Sequence, residues 1–124
     1  MVVTRAVFFI VGLATVAAAI ALLLVPRWFF DNVAPIAPYN RHFLGDAGAF
    51  SLGIGAALLV AAWDPIRLRT LALVGIGGTV VHALNHIYGS LTAFESWPST
   101  IAVLIEAVAL VGCLPTLRAA ASRG

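Results

Sequence analysis

Three histidines and two carboxylates in this 124-residue chain stand at spacings that can hold a metal ion or carry protons. His42 and Asp46 are four residues apart, and so are His82 and His86. On a helix that spacing puts both members of a pair on one face, where they can reach a single ion, as in other helical two-histidine sites. Two such pairs on adjacent antiparallel helices could supply three or four nitrogen and oxygen ligands. Glu106 adds a carboxylate suited to a further ligand, to accepting from a histidine N–H, or to general-base work, a role Asp46 could also fill. The set holds no sulfur, since Cys113 lies about two turns deeper and the one methionine is Met1. That disfavours Cu(I) and leaves zinc, iron, manganese or Cu(II), with zinc first and iron second. Haem between histidines of facing helices ranks below these. The Glu-x-x-His pairs of ferritin-like di-iron proteins are absent from the sequence. The metal-free alternative is a hydrogen-bonded network that is structural or carries protons.

These polar groups sit in apolar surroundings. The chain is 62% hydrophobic and 10% charged, against about 45–50% and 25% in a soluble domain. It reads as an integral membrane protein, and the expected fold is all-α, a four-helix up-down bundle in one domain over 1–124. Apolar runs at about 4–25, 42–62, 69–90 and 99–117 are each long enough to span. The first is nearly twice the apolar core of a signal peptide and is followed by Pro26-Arg27-Trp28, not by a small-residue cleavage site, so it is expected to be a retained helix. The net charge of +2 comes from seven arginines with no lysine. They are too scattered for a nucleic-acid surface, and with the alanine content they suggest a GC-rich bacterial source. A single cysteine excludes an intrachain disulfide.

Arg5, Arg67, Arg69, Arg118 and Arg123 fall at the N-terminus, the second connection and the C-terminus. The positive-inside bias then places both termini in the cytoplasm of a bacterial inner membrane, crossed several times. Arg27, Arg41, Asp31 and Glu95 fall on the outer side, with Trp28, Phe29, Tyr39, Tyr88 and Trp97 as an aromatic belt and Trp63 marking the inner one. The first connection, PRWFFDNVAPIAPYNR, is aromatic and proline-punctuated and is expected in the interface. The second, WDPIRLR, reads as a tight turn with Asp64 as its turn residue.

Depth follows from a rise of about 1.5 Å per residue: His42 and Asp46 lie roughly 2–8 Å below the outer boundary, His86 and His82 roughly 5–12 Å, and Glu106 roughly 12 Å. At about 100° per residue, Gly75, Gly78, Thr79, His82, Asn85, His86 and Gly89 share one sector of the third span, opposite Leu73, Ile76, Val80, Leu84 and Ile87. His42, Gly45, Asp46, Ala49, Gly53 and Ala56 share a sector of the second, opposite Leu44, Ile54 and Leu58. Ser99, Ala102, Glu106, Ala109 and Cys113 align on the fourth; Gly12 and Thr15 are the only candidates on the first. Small residues let membrane helices approach closely and bulky ones face lipid. An ionisable group facing hydrocarbon costs about 2.5–3.5 kcal/mol or more at mid-depth. The small-and-polar stripes are therefore expected to face inward and to converge near the outer mouth.

Around such a site Asn85, Glu106 and Arg41 are candidates for outer support. Arg41 at the boundary also suits snorkelling to headgroups. Asn40 reads as the cap of the second span, Asp31 and Glu95 as solvated loop charges, and Cys113 as a small packing residue.

The overall build, four short spans with polar residues near one mouth, resembles small DoxX-like and other uncharacterised four-span bacterial membrane proteins. Locally, the order His-x3-Asp then His-x3-His, here His42, Asp46, His82 and His86, is similar to that of intramembrane metal hydrolases of the alkaline ceramidase type. That likeness implies zinc, an activated water and hydrolysis of a lipid amide. Those enzymes have seven spans and a membrane serine; this chain has four, and its nearest serine, Ser51, is placed on the lipid side of the second span. The functional expectation is a metal-binding membrane protein open to the outer side, acting, if an enzyme, by metal-assisted hydrolysis or oxidation of a lipid-like substrate. The alternative is a non-catalytic transport, proton-relay or accessory subunit. Lipids are the expected surroundings. Four spans enclose little volume, so a homo-oligomer or a larger membrane complex fits either reading.

Overall fold

The structure is a computed structural model that describes residues 1–92 and 97–121. Glu95 and Arg123, assigned above to the third connection and the C-terminus, lie outside the described residues. The helices are α1 (Val2–Leu24), α2 (Pro26–Asn32), α3 (Arg41–Trp63), α4 (Arg69–Leu91), α5 (Trp97–Val111) and α6 (Leu114–Ala121). Four stretches of 23 residues, Val2–Leu24, Arg41–Trp63, Arg69–Leu91 and Trp97–Ala119, are long and apolar enough to cross a membrane. At 1.5 Å per residue each is about 35 Å long, more than the roughly 30 Å hydrocarbon layer. The chain is an all-α, multi-pass membrane protein, and no strand occurs among the described residues.

The closest helix pair is α1 with α3, and glycine makes it possible. A Cβ placed on Gly55 would stand 2.9 Å from the backbone nitrogen of Val16 and 3.1 Å from the carbonyl of Gly12. One on Gly12 would meet the Leu59 nitrogen at 2.9 Å, and one on Gly48 the Ala19 carbonyl at 3.1 Å. Gly12 therefore faces Gly55 and Ala19 faces Gly48, in antiparallel register, with the two backbones in contact. Such contact lets dispersion and backbone dipoles replace the hydrophobic drive that lipid removes. α4 docks on the other flank of α3 by knobs in glycine holes. Leu58, fully buried, fills the space over Gly75, and the Ile54 side chain fills that over Gly78.

At the end where α1 begins and α6 finishes, all four spans meet. Phe8 and Val11 pack there with Leu58, Ala61, Ala72, Ile76, Leu110, Cys113 and Leu117. The Arg5 guanidinium donates to the carbonyl of Trp63, one of the last carbonyls of α3, which have no partner within their own helix. Asp64 closes the next turn by accepting from the backbone N–H groups of Ile66 (3.3 Å) and Arg67 (3.1 Å), the turn role read from the sequence. The fourth span is broken between α5 and α6. Pro115 has no N–H to continue the ladder, and Cys113 N–H bonds back to the Leu110 carbonyl at 3.0 Å in a tightened turn. Cys113 is buried in the core, as a small packing residue would be.

At the far end the first connection is not wholly irregular, because PRWFFDN forms α2 with Pro26 opening it. Asp31 is paired and not simply solvated: Arg27 Nε lies 2.8 Å from its carboxylate. The guanidinium also stands 5.1 Å from the centre of the Tyr39 ring and 5.8 Å from that of Phe30. The Asp31 hydrogen bond and charge push Arg27 above its ordinary pKa.

Gly55→Leu forces a side chain into a neighbouring backbone. It is expected to lower stability by about 1–3 kcal/mol, measured by unfolding in mixed micelles of mild detergent and dodecyl sulfate. Gly77→Ala, where a Cβ meets nothing within 4 Å, is expected to stay within about 0.5 kcal/mol of the parent.

Candidate functional site

The His82 and His86 rings meet on α4. Their Nε2 atoms are 2.9 Å apart and the ring centres 4.6 Å apart, tilted by 57°. A hydrogen bond between two Nε2 atoms needs one protonated and one bare nitrogen. The arrangement is thus a pair of imidazoles sharing a proton, with lone-pair atoms close enough for one ion to replace that proton. His86 is half-buried and His82 exposed.

The other pair sits on the first turns of α3. Asn40 fixes where that helix starts, its side chain accepting from Phe43 N–H at 3.1 Å, the cap role expected of it. Arg41 is then the first residue of the helix, exposed at its mouth. His42 Nε2 lies 3.5 Å from Asp46 Oδ2, and the two side chains are 90% and 59% exposed.

That exposure corrects the facing read for the second span. The buried residues of α3 are Leu44, Gly48, Gly55, Leu58 and Ala61. Leu44, Ile54 and Leu58, assigned to lipid, face neighbouring helices instead, while Asp46, Ala49, Gly53 and Ala56 face outward. The rule that small residues pack and bulky ones face lipid selected the wrong stripe because α3 carries two small stripes. The one holding Gly48 and Gly55 is used against α1. Ser51, three residues from Gly48 and four from Gly55, is half-buried beside that face and is not on the lipid side. On α4 the expected stripe holds in part: Gly75, Thr79 and Gly89 are buried, but Ile76, assigned to lipid, is buried too, and His82 and Asn85 are exposed. On α5 the buried positions are Thr100, Ala107 and Leu110; Ser99, Glu106 and Ala109 are half-buried, and Ala102 is exposed.

The structure therefore brings His82 to His86 and His42 to Asp46. Among the described residues it gathers no three His, Cys, Asp or Glu side chains within reach of one ion. Glu106 stands on α5 outside either pair as a ligand group.

Two residues of this region were not singled out from the sequence. Ser90 Oγ lies 2.5 Å from Thr100 Oγ1, and both residues are buried; the Thr100 hydroxyl also reaches the His86 carbonyl at 3.2 Å. This clip joins α4 to α5 next to the imidazole pair and holds the turn that carries His86. A signal was present: hydroxyl residues near the facing ends of consecutive spans. Hydroxyls that satisfy helix carbonyls are common in membranes, however, so nothing marked these two out.

Compared with protein-family models, with curated proteins and with solved structures, the chain matches none.

Two outcomes are expected. In a His42→Ala background, 15N NMR of the labelled protein in micelles should give one protonated and one bare Nε2, and His86→Ala should remove one signal and shift that of the remaining His82 Nε2; two protonated Nε2 atoms would exclude the hydrogen bond. Thr100→Val should lower stability by about 1 kcal/mol, within the range for hydrogen bonds between membrane helices, with Thr100→Ser retaining most of it.

Proposed function

We propose that this is a metal-binding membrane protein whose primary ligands are His82 and His86. One observation carries the reading: the 2.9 Å approach of two Nε2 atoms within an apolar helix. Two imidazoles on one tetrahedral zinc, each at about 2.0–2.1 Å, stand about 3.4 Å apart. The pair reaches that separation by opening about 0.5 Å, a small side-chain rotation. Nitrogen ligands without thiolate favour zinc, with iron next. Two protein ligands leave coordination positions for water or a substrate group, and a bound ion lowers the pKa of its water to about 7. Asn85 and Glu106 are the residues from which a supporting hydrogen bond or a base would come, Asp46 being carried to the outward side of α3 with His42, and a lipid-like molecule is the substrate class suited to a site at this depth. The arginine distribution supports termini in the cytoplasm and the imidazole pair toward the outer leaflet of a bacterial inner membrane.

The same contact favours one second reading, a proton relay in a transport or accessory subunit, in which the shared proton is the cargo and no ion enters.

Elemental analysis of detergent-purified protein separates them. Under the first reading zinc or iron is expected at a fixed ratio to chain, falling by about tenfold or more in His82→Ala and in His86→Ala. No bound metal, together with stability unaltered by a chelator, would exclude metal binding and leave the relay.

A further inference from the structure

We infer that the half of the bundle toward α2 encloses a water-accessible vestibule that admits small cations to Glu106 at mid-depth. The inference stands apart from the metal reading of His82 and His86, because it is drawn from α1, α3 and α5.

The first observation is an interruption of burial on inward faces. Residues seven apart on a helix point nearly the same way. On α1, Phe8, Thr15 and Leu22 form such a series. Phe8 and Leu22 are 0% and 8% exposed, while Thr15 between them is only half-buried. On α3 the series is Leu44, Ser51 and Leu58. The leucines are 7% and 0% exposed, and Ser51 is again only half-buried. Ser51 points between the two directions that meet neighbours: Gly48 and Gly55 face α1, and Ile54 and Leu58 face α4. A small side chain so placed is reached from outside only through space within the bundle. Thr15 and Ser51 are nearly level, since Gly12 meets Gly55 and Ala19 meets Gly48.

The second is where the spans part. The buried cluster that draws on all four lies wholly in the halves nearer α6. α1 and α5 otherwise touch little. On the α5 side that carries Leu110 and Cys113 into the cluster, Val103 and Glu106 are only half-buried. The bundle is thus closed at its α6 end and parted between α1 and α5 toward its α2 end.

The third is a pair of polar groups with nothing to bond. Among the described residues, Ser51 and Glu106 form no hydrogen bond or ion pair. Other span hydroxyls bond back one turn, Thr15 to the Val11 carbonyl at 2.8 Å and Thr79 to that of Gly75 at 2.9 Å. Ser51 does not. Thr15, Ser51 and Glu106 lie nine or ten residues from the α2 ends of their spans, about 14–15 Å deep. An acyl chain filling this space would leave the serine hydroxyl and the carboxylate unpaired, which is unfavourable. Water satisfies both, and water-filled space inside a bundle is where membrane chains place ionisable groups. The described arginines all stand near span ends or in connections, so none neutralises Glu106. A carboxylate at the closed end of a low-dielectric cleft focuses its field on the entrance and draws positive charge.

The test uses full-length protein in phosphatidylethanolamine–phosphatidylglycerol vesicles, in a Cys113→Ala background. A chelator is present throughout, so a metal at the imidazoles neither blocks nor repels the probes, and the outcome is the same whether or not the histidines bind one. Single cysteines replace Ser51 and Val103 in the vestibule and Leu110 in its floor. Phe50 and Ile105, exposed at nearly the same depth, supply lipid-facing controls. The probes are methanethiosulfonates bearing trimethylammonium or sulfonate, loaded on both sides. They react with thiolate, which forms where water reaches. Positions 51 and 103 are expected to react about tenfold or more faster than 50, 105 and 110. Relative to free thiol, the cationic probe should exceed the anionic one by about tenfold at 51 and 103. Glu106→Gln should remove most of that preference and Glu106→Asp should keep it. Reaction at 51 and 103 no faster than at 50 and 105 would overturn the vestibule, and reaction at 110 as fast as at 51 would overturn its closed floor. A charge preference that is absent, that survives Glu106→Gln, or that is lost equally in Glu106→Asp would overturn the role of Glu106.

Discussion

The backbone contact between α1 and α3 governs the rest of this structure. With Gly12 against Gly55 and Gly48 against Ala19, the two helices touch main chain to main chain, and a helix held that way cannot rotate about its axis. Once Gly48 and Gly55 point at α1, the direction of every other α3 side chain is fixed. Leu58 and Ile54 fall toward α4, where Gly75 and Gly78 leave room for them. His42, Asp46, Ala49 and Gly53 are carried to the side away from both neighbours. The placement of the ionisable pair is thus a by-product of where glycine permits contact.

The bundle is joined differently at its two ends. At the end with α6 a single apolar cluster draws on all four spans, and Arg5 ties the start of α1 to the end of α3. At the far end polar ties add to the α1–α3 contact around Ala19, Leu22 and Gly48: Ser90 with Thr100 between α4 and α5, and Arg27 of α2 with Asp31 and the Tyr39 ring. Hydrophobic packing between helices gains little when the alternative neighbour is a lipid tail, so hydrogen bonds and close backbone approach take its place. His42 and the His82–His86 pair lie in the halves of α3 and α4 nearer this end.

Much of this was legible before any coordinates. Apolar run lengths gave four spans, Asn40 read as a cap, and Asp64 read as a turn residue, because each rests on local chemistry that tertiary packing does not alter. The i,i+4 spacing likewise made His82 and His86 neighbours, and they are. Facing was different. A helical wheel reports that small residues share a stripe; it does not say which of two stripes meets a neighbour. α3 offered Gly48 with Gly55 and Gly45 with Gly53, and the presence of His42 and Asp46 on the second argued for turning it inward. The complementary glycine on α1, Gly12, made the first the tighter fit.

The sequence by itself therefore determined the class of protein, the number of crossings and which polar residues share a helical turn. Those follow from hydropathy, chain length and the 3.6-residue period, all properties of one segment at a time. Only the tertiary structure decided which faces meet, that the imidazole pair and the His–Asp pair remain separate, and that Ser90 and Thr100 hold α4 to α5. These depend on fit between segments, and fit is set by shape complementarity over a few glycines and hydroxyls, which no single helix carries alone.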